Sequence, residues 1–222
     1  MTYWSKYNQE LKELANKLIV HNEKNKFNFI EEGFYNHVHD ILLLAILKFD
    51  DNSEIKVLDY GSNILPWSNV INKINTSQLK ITIFDPFIKS KNKIDISNNF
   101  DLTITNEEKD FKKEKFDLQI FGSSSQYIDN FFDNLNLYLY SSRFIFFTHT
   151  PLSINKTFVS NQYTGFKGKQ IIRSYDELIS FMKENKYEII FKSILPSQYA
   201  SVDKDKINQT IYANLLFKKL DN

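Results

Sequence analysis

Two aspartates that end apolar runs carry the first chemical signal of this chain. Ile55-Lys-Val-Leu-Asp59 leads into Tyr60 and Gly61, and Lys80-Ile-Thr-Ile-Phe-Asp85 leads into Pro86. A buried strand that stops at an acid brings that acid to the carboxyl edge of a sheet, where open α/β folds bind small molecules. An ionised carboxylate only accepts hydrogen bonds. Asp85 therefore suits a pair of ribose hydroxyls, and Asp59 suits a cationic group. A strand-end cap or Asx turn is the alternative for Asp59, and a turn before Pro86 is the alternative for Asp85. The runs lie about 25 residues apart, the separation that adjacent parallel strands with a crossover helix require. A ligand with a ribose diol and a cationic end has the outline of S-adenosylmethionine.

Methyl transfer to a hydroxyl needs a proton removed as the oxygen attacks. His149, which follows the apolar run 143–148, is the candidate general base, because histidine titrates near neutrality. A structural histidine is the alternative. Gly61 with Ser62, and Asp85 with Pro86, form the expected cofactor edge. Asn106 and Glu107 follow a third short strand, where they would meet an adenine or make a plain surface turn. Gly122, Ser123 and Ser124 follow a fourth strand and should border the cofactor. Gln126 and Tyr127 would orient methionine or substrate, or else begin a helix. His37 and His39 are two apart on a predicted helix and would not share a face, which argues against a two-histidine metal site; either would reach the pocket from a cap. No metal is implied.

The elements that must hold these residues alternate. Helices are predicted over 3–20, 32–47, 66–75, 127–140 and 175–185, from apolar residues at helical spacing. Ser174 with Glu177 three positions on has the pattern of a capping box at the start of the last helix. Strands are predicted over 55–60, 80–85, 101–105, 116–121, 143–148, 187–195 and 210–217. Residues 87–100 are polar and indistinct, and 151–173 reads as a long loop. A loop of that length inside a compact domain is often functional. It would serve as a substrate lid in which Tyr163 and Phe166 could stack on a ring of the substrate or simply pack. Strand and helix alternation implies a parallel sheet with helices on both faces. The last two strands are joined by about 14 polar residues without helical periodicity, so they should be antiparallel.

With 222 residues the chain is long enough for one large α/β domain, here 51–222, with 1–50 as an N-terminal helical cap. The formal net charge of +1 gives no reason to expect nucleic acid, and acids interleave with the lysines of 109–115. There is no cysteine, hence no disulfide framework and no thiolate site. The N-terminal stretch lacks the apolar core of a signal peptide, and 41–47 is far short of a membrane span. A cytoplasmic protein without membrane insertion is expected.

Asp59-Tyr-Gly61 after a strand resembles the first motif of class I S-adenosylmethionine-dependent methyltransferases, and 116–127 resembles their fourth-strand motif. Within that class the chain is similar to a family of methyltransferases found in bacterial surface-polysaccharide gene clusters. That resemblance rests on Ser123, Ser124, Gln126 and Tyr127 after the fourth strand, Thr150-Pro151 after the fifth, and Gln162 about a dozen residues on. It covers roughly 30–195. The family has several glycines after the first acid, where this chain has Gly61 and then Ser62-Asn63-Ile64-Leu65; before Thr150 the family commonly has Arg, where this chain has His149.

The resemblance implies a Rossmann-like, three-layer class I methyltransferase fold with a mostly parallel seven-stranded sheet and an antiparallel C-terminal strand. It implies O-methylation of a sugar-linked small molecule in polysaccharide biosynthesis, with S-adenosyl-L-homocysteine as product. Gln126, Tyr127, Gln162, Tyr163 and His37 would then face the acceptor. A non-catalytic scaffold with the same fold is the second expectation. An NAD-dependent oxidoreductase or epimerase is a third, disfavoured because 59–64 lacks the glycine-rich turn that pyrophosphate needs.

Overall fold

A computed structural model describes residues 54–61, 78–86, 92–97, 100–111, 113–139, 142–162, 168–195 and 202–220. The helices expected over 3–20, 32–47 and 66–75, and the site residues His37, Ser62 and Tyr163, lie outside the described residues. The chain divides into two compact units, Met1–Leu118 and Gln119–Asn222.

The first unit holds β1 (Glu54–Tyr60), β2 (Gln78–Phe84), β3 (Asn92–Ser97) and β4 (Phe100–Thr105), in the order β3-β4-β2-β1. β1 pairs parallel with β2, and β2 with β4, whereas β3 runs antiparallel to β4. Val57, Leu58 and Asp59 are buried in succession, the mark of a strand covered on both faces. Beside them Phe84 and Phe111 meet edge to face at 5.1 Å, and Phe111 and Phe116 at 6.1 Å, a favoured aromatic geometry. Asp117 clasps the backbone of Lys56: its N–H donates to Lys56 O (2.8 Å) and its Oδ2 accepts from Lys56 N–H (2.9 Å).

The second unit holds β5 (Leu118–Gly122), which begins at the boundary, α1 (Phe131–Leu139), β6 (Phe144–Ser153), β7 (Phe158–Asn161), β8 (Lys169–Ser174), α2 (Tyr175–Glu184), β9 (Tyr187–Leu195) and β10 (Thr210–Lys219). β10 lies between β6 and β9 and is antiparallel to both, as expected from a connection without helical periodicity; a 3₁₀ helix, Lys204–Gln209, precedes β10. All ten residues of β6 are buried. Phe147 is the hub of this core: it stacks on Phe121 at 5.3 Å and meets Phe131 and Phe217 edge to face, each at 5.9 Å.

The seven expected strands are all present, as β1, β2, β4, β5, β6, β9 and β10, and three more occur among the described residues. β3 falls in the stretch read as indistinct. It is Asn-Lys-Ile-Asp-Ile-Ser, in which polar residues alternate with isoleucine and dilute the apolar signal. β7 and β8 replace most of the expected long loop: they form an antiparallel hairpin, Phe158 opposite Ile172 through Asn161 opposite Lys169, and β8 also joins β6 in parallel. The helix expected over 127–140 divides into a 3₁₀ turn at Ser125–Tyr127 and α1, separated by Asn130 at φ 48°.

At the start of α2, Ser174 Oγ accepts from Glu177 N–H at 3.5 Å, the forward half of the expected capping box. Thr157 adds a bridge: its Oγ1 accepts from Ser174 N–H at 2.9 Å and donates to the Glu177 carboxylate. No helix among the described residues is long and apolar enough to cross a membrane.

Candidate functional site

In the first unit the two aspartates stand at the carboxyl ends of neighbouring parallel strands. Asp59 is opposite Ile83 in the ladder and buried, and Asp85 follows the last pair, Tyr60 with Phe84. Gly61 turns the chain at φ 71°, and its N–H donates to Phe84 O at 2.7 Å. That left-handed turn is open to a residue without Cβ and strains most others. Asp85 is half-buried, and its N–H donates to Thr105 O at 3.0 Å, so the end of β4 holds the turn after β2. Pro86 is exposed. Asn106 and Glu107 follow β4, where Glu107 N–H donates to Thr105 Oγ1 at 3.1 Å. Tyr60 lies beside Phe84 with ring centroids 4.7 Å apart, and its hydroxyl donates to Glu108 Oε1 at 3.4 Å. The three strand ends of this unit thus bring together Asp59, Gly61, Asp85, Asn106 and Glu107. Two carboxylates that accept hydrogen bonds, beside a turn without a side chain, suit a ribose diol and a cationic group.

In the second unit β5 ends at Gly122, and Ser123 follows at φ 49°. Ser123 is tied to the middle of β6: its N–H donates to Thr148 O at 2.9 Å and its Oγ to His149 O at 2.8 Å. His149 itself sits at φ 48° within a buried strand, 9% exposed. The cause is a β-bulge. β6 and β10 pair Phe147 with Leu215 and Thr150 with Ala213, so Thr148 and His149 together oppose Asn214. Across this bulge the Asn214 side chain reaches β6: Oδ1 accepts from His149 N–H at 2.8 Å and from the Thr148 hydroxyl at 3.1 Å. Thr148 Oγ1 also lies 3.2 Å from His149 Nδ1.

Ser124 and Gln126 are buried in the turn that leads to α1, and Tyr127 projects from it, 40% exposed. Its hydroxyl donates to Gln162 Oε1, beyond β7. Gln162 N–H donates to Gly168 O at 2.8 Å, which ties the two ends of the hairpin loop.

Arg173 of β8 holds the turn from beneath: Nη1 donates to Ser125 O at 2.6 Å, Nη2 to Ile128 O at 2.5 Å, and the guanidinium lies 4.7 Å from the Phe131 ring centroid. Burial pulls its pKa down to about 10, against the opposing charges of Asp129 and Glu177.

The structure therefore joins Ser123 to His149, and Tyr127 to Gln162. Asn214, Thr148 and Arg173 were not anticipated. Asn214 stands inside the apolar run Tyr-Ala-Asn-Leu-Leu-Phe, where a polar residue in a buried strand signals an obligatory hydrogen-bond partner. Arg173 gives a similar signal between Ile172 and Ser174.

No family model and no curated protein matches the chain. Solved structures do resemble it. A Burkholderia thailandensis 1,6-didemethyltoxoflavin-N1-methyltransferase, with its substrate and S-adenosylhomocysteine bound, aligns over 100% of this chain and 92% of its own at TM-score 0.53 and 10% identity. The N-terminal domain of EvdMO1, in the presence of S-adenosylhomocysteine and D-fucose, aligns over 96% and 97% at TM-score 0.54 and 10% identity. Magnesium protoporphyrin IX methyltransferase from Synechocystis PCC 6803 aligns over 89% and 90% at TM-score 0.51 and 7% identity. At these identities the likeness shows the fold alone: the chain has the Rossmann-like, mostly parallel α/β fold of class I methyltransferases.

Proposed function

We propose that the protein is an S-adenosylmethionine-dependent methyltransferase that methylates a hydroxyl of a sugar or surface-polysaccharide intermediate. The observation that carries this reading is the pair Asp59 and Asp85 at the carboxyl ends of adjacent parallel strands, with Gly61 turning between them at φ 71°. S-adenosylmethionine, when bound, would supply an electrophilic methyl group on a sulfonium for the acceptor oxygen. Asp85 accepts hydrogen bonds from the ribose hydroxyls. Asp59 offsets the positive charge of the methionine end. Asn106 borders the same ligand at the end of β4, and Pro86 fixes the turn after Asp85; Gly122, Ser123 and Ser124 have a cofactor role by their resemblance to the fourth-strand motif.

His149 takes the proton that the acceptor hydroxyl loses. Gln126, Tyr127 and Gln162 orient the acceptor. Holding the reacting atoms in line provides much of the rate. The sugar acceptor is supported by the match of Tyr127, Thr150-Pro151 and Gln162 to the polysaccharide-cluster family, and by the D-fucose present with EvdMO1.

Isothermal calorimetry with S-adenosylmethionine tests the cofactor assignment. The wild type should bind. Asp85→Ala should bind about 10- to 100-fold more weakly, the loss of one or two charge-assisted hydrogen bonds. Unchanged affinity in a folded Asp85→Ala protein, or absence of binding by the wild type, would contradict the assignment.

A further inference from the structure

Three hydrogen bonds that link His149, Thr148 and Asn214 fit together in one arrangement of protons. His149 N–H is a backbone donor 2.8 Å from the Asn214 amide, so the atom facing it must be the oxygen, Oδ1. Turning that amide over would set its NH₂ group against the backbone N–H, two donors face to face. Oδ1 only accepts. The Thr148 hydroxyl, 3.1 Å from Oδ1, must therefore point its one hydrogen at Asn214. With that hydrogen used, Thr148 Oγ1 can only accept from the histidine ring. His149 Nδ1, 3.2 Å away, must carry a hydrogen and donate it. In the neutral ring the lone pair is then on Nε2.

We infer that Asn214 and Thr148 are positioning residues that fix His149 in the Nδ1–H tautomer, with Nε2 as its proton-accepting nitrogen. The backbone N–H of His149 sets the amide, the amide sets the hydroxyl, and the hydroxyl sets the ring. Asn214 is 1% exposed and Thr148 5% exposed, so water does not compete for these bonds. The chain of bonds is local to β6 and β10, and it holds the tautomer before any substrate arrives. What this accomplishes in catalysis rests on the methyltransferase reading. The tautomer does not, and the experiment separates the two.

Long-range nitrogen–proton NMR of the ¹⁵N-histidine-labelled full chain, without cofactor, reads the tautomer directly. With the ring neutral, His149 should show Nδ1 protonated and Nε2 unprotonated. Thr148→Val, which keeps the shape and removes the acceptor, should lose the Nδ1–H signature, and Thr148→Ser should restore it. Asn214→Asp, which keeps an acceptor at that position, should retain it, whereas Asn214→Leu should not. A wild-type ring with its hydrogen on Nε2 would overturn the inference, as would a Thr148→Val protein with an unchanged ring. Neither result bears on S-adenosylmethionine affinity, which calorimetry reads separately.

Discussion

The Tyr127 hydroxyl donates to Gln162 Oε1 across 35 positions of sequence, and so joins the turn after β5 to the end of β7. Both residues were singled out from the sequence for the acceptor, and both belong to the second unit. Tyr127→Phe removes the hydroxyl and leaves the ring. Since Tyr127 is 40% exposed, stability should fall by no more than about 1 kcal/mol, read by urea unfolding. KM for the acceptor should rise about tenfold, the loss of one hydrogen bond at a binding surface. A KM equal to wild type would remove Tyr127 from the acceptor site.

Alkaline stability should depend on Tyr187. It is buried, and its hydroxyl hydrogen faces two carbonyls, Leu139 O at 2.9 Å and Ser142 O at 2.5 Å. Burial raises its pKa above the usual tyrosine value of 10.0. Below that value the hydroxyl is neutral in both the folded and the unfolded chain, and its contribution to stability is complete. As pH rises further the unfolded chain ionises first, so the contribution is lost. Tyr187→Phe should cost about 1–2 kcal/mol near neutrality and should flatten the decline above about pH 10. Urea midpoints for the two proteins across that range give the comparison, and parallel decline would show that Tyr187 is not the titrating group.

Arg173 should tolerate no replacement by lysine. Its planar fork reaches Ser125 O and Ile128 O together, which one ammonium group does not reproduce. Arg173→Lys should lose about 2–3 kcal/mol, seen as a lower urea midpoint with an unchanged slope. A midpoint equal to wild type would mean that the two carbonyls find other partners and that the fork is dispensable.

Lys186 follows the end of α2 at φ 63°, where its N–H donates to Lys183 O at 3.0 Å and its carbonyl accepts from Leu220 N–H at 2.8 Å. This is the left-handed position past a helix end that glycine fills without a Cβ clash. Lys186→Gly should raise stability by about 0.5–1 kcal/mol. A lower thermal midpoint would mean that the aliphatic stem packs more usefully than the backbone is strained.

The sequence made the strand ends legible because an apolar run that stops at an acid has few other uses. Asp59 and Asp85 were placed by that pattern alone, and the ladder pairs their strands as expected. The antiparallel tail was readable for a similar reason, since a connection without a helix cannot carry a parallel crossover. What stayed hidden depends on pairing. The hairpin β7–β8 is built from Phe-Val-Ser-Asn and Lys-Gln-Ile-Ile-Arg-Ser. Neither stretch alternates cleanly, and each becomes a strand by facing the other. The bulge at His149 was hidden because an extra residue in one strand shows only when its partner is known. The sequence put His149 just past an apolar run ending at 148, whereas the buried strand continues to Ser153; it could not show that Asn214, 65 positions on, would accept from the His149 N–H.

In the β6–β10 ladder, Thr148 and His149 stand together opposite one residue, Asn214. Phe147 and Thr150 share a face because they oppose Leu215 and Ala213, which lie two apart on β10. Were His149 deleted, Phe147 and Thr150 would themselves lie two apart, and regular alternation would keep both on that same face. Relative to β10, His149 is thus an insertion that leaves the register on either side of it intact. The pairing with β10 therefore does not dictate the residue here; what reaches it are side chains, Ser123 Oγ at its carbonyl and Asn214 Oδ1 at its N–H.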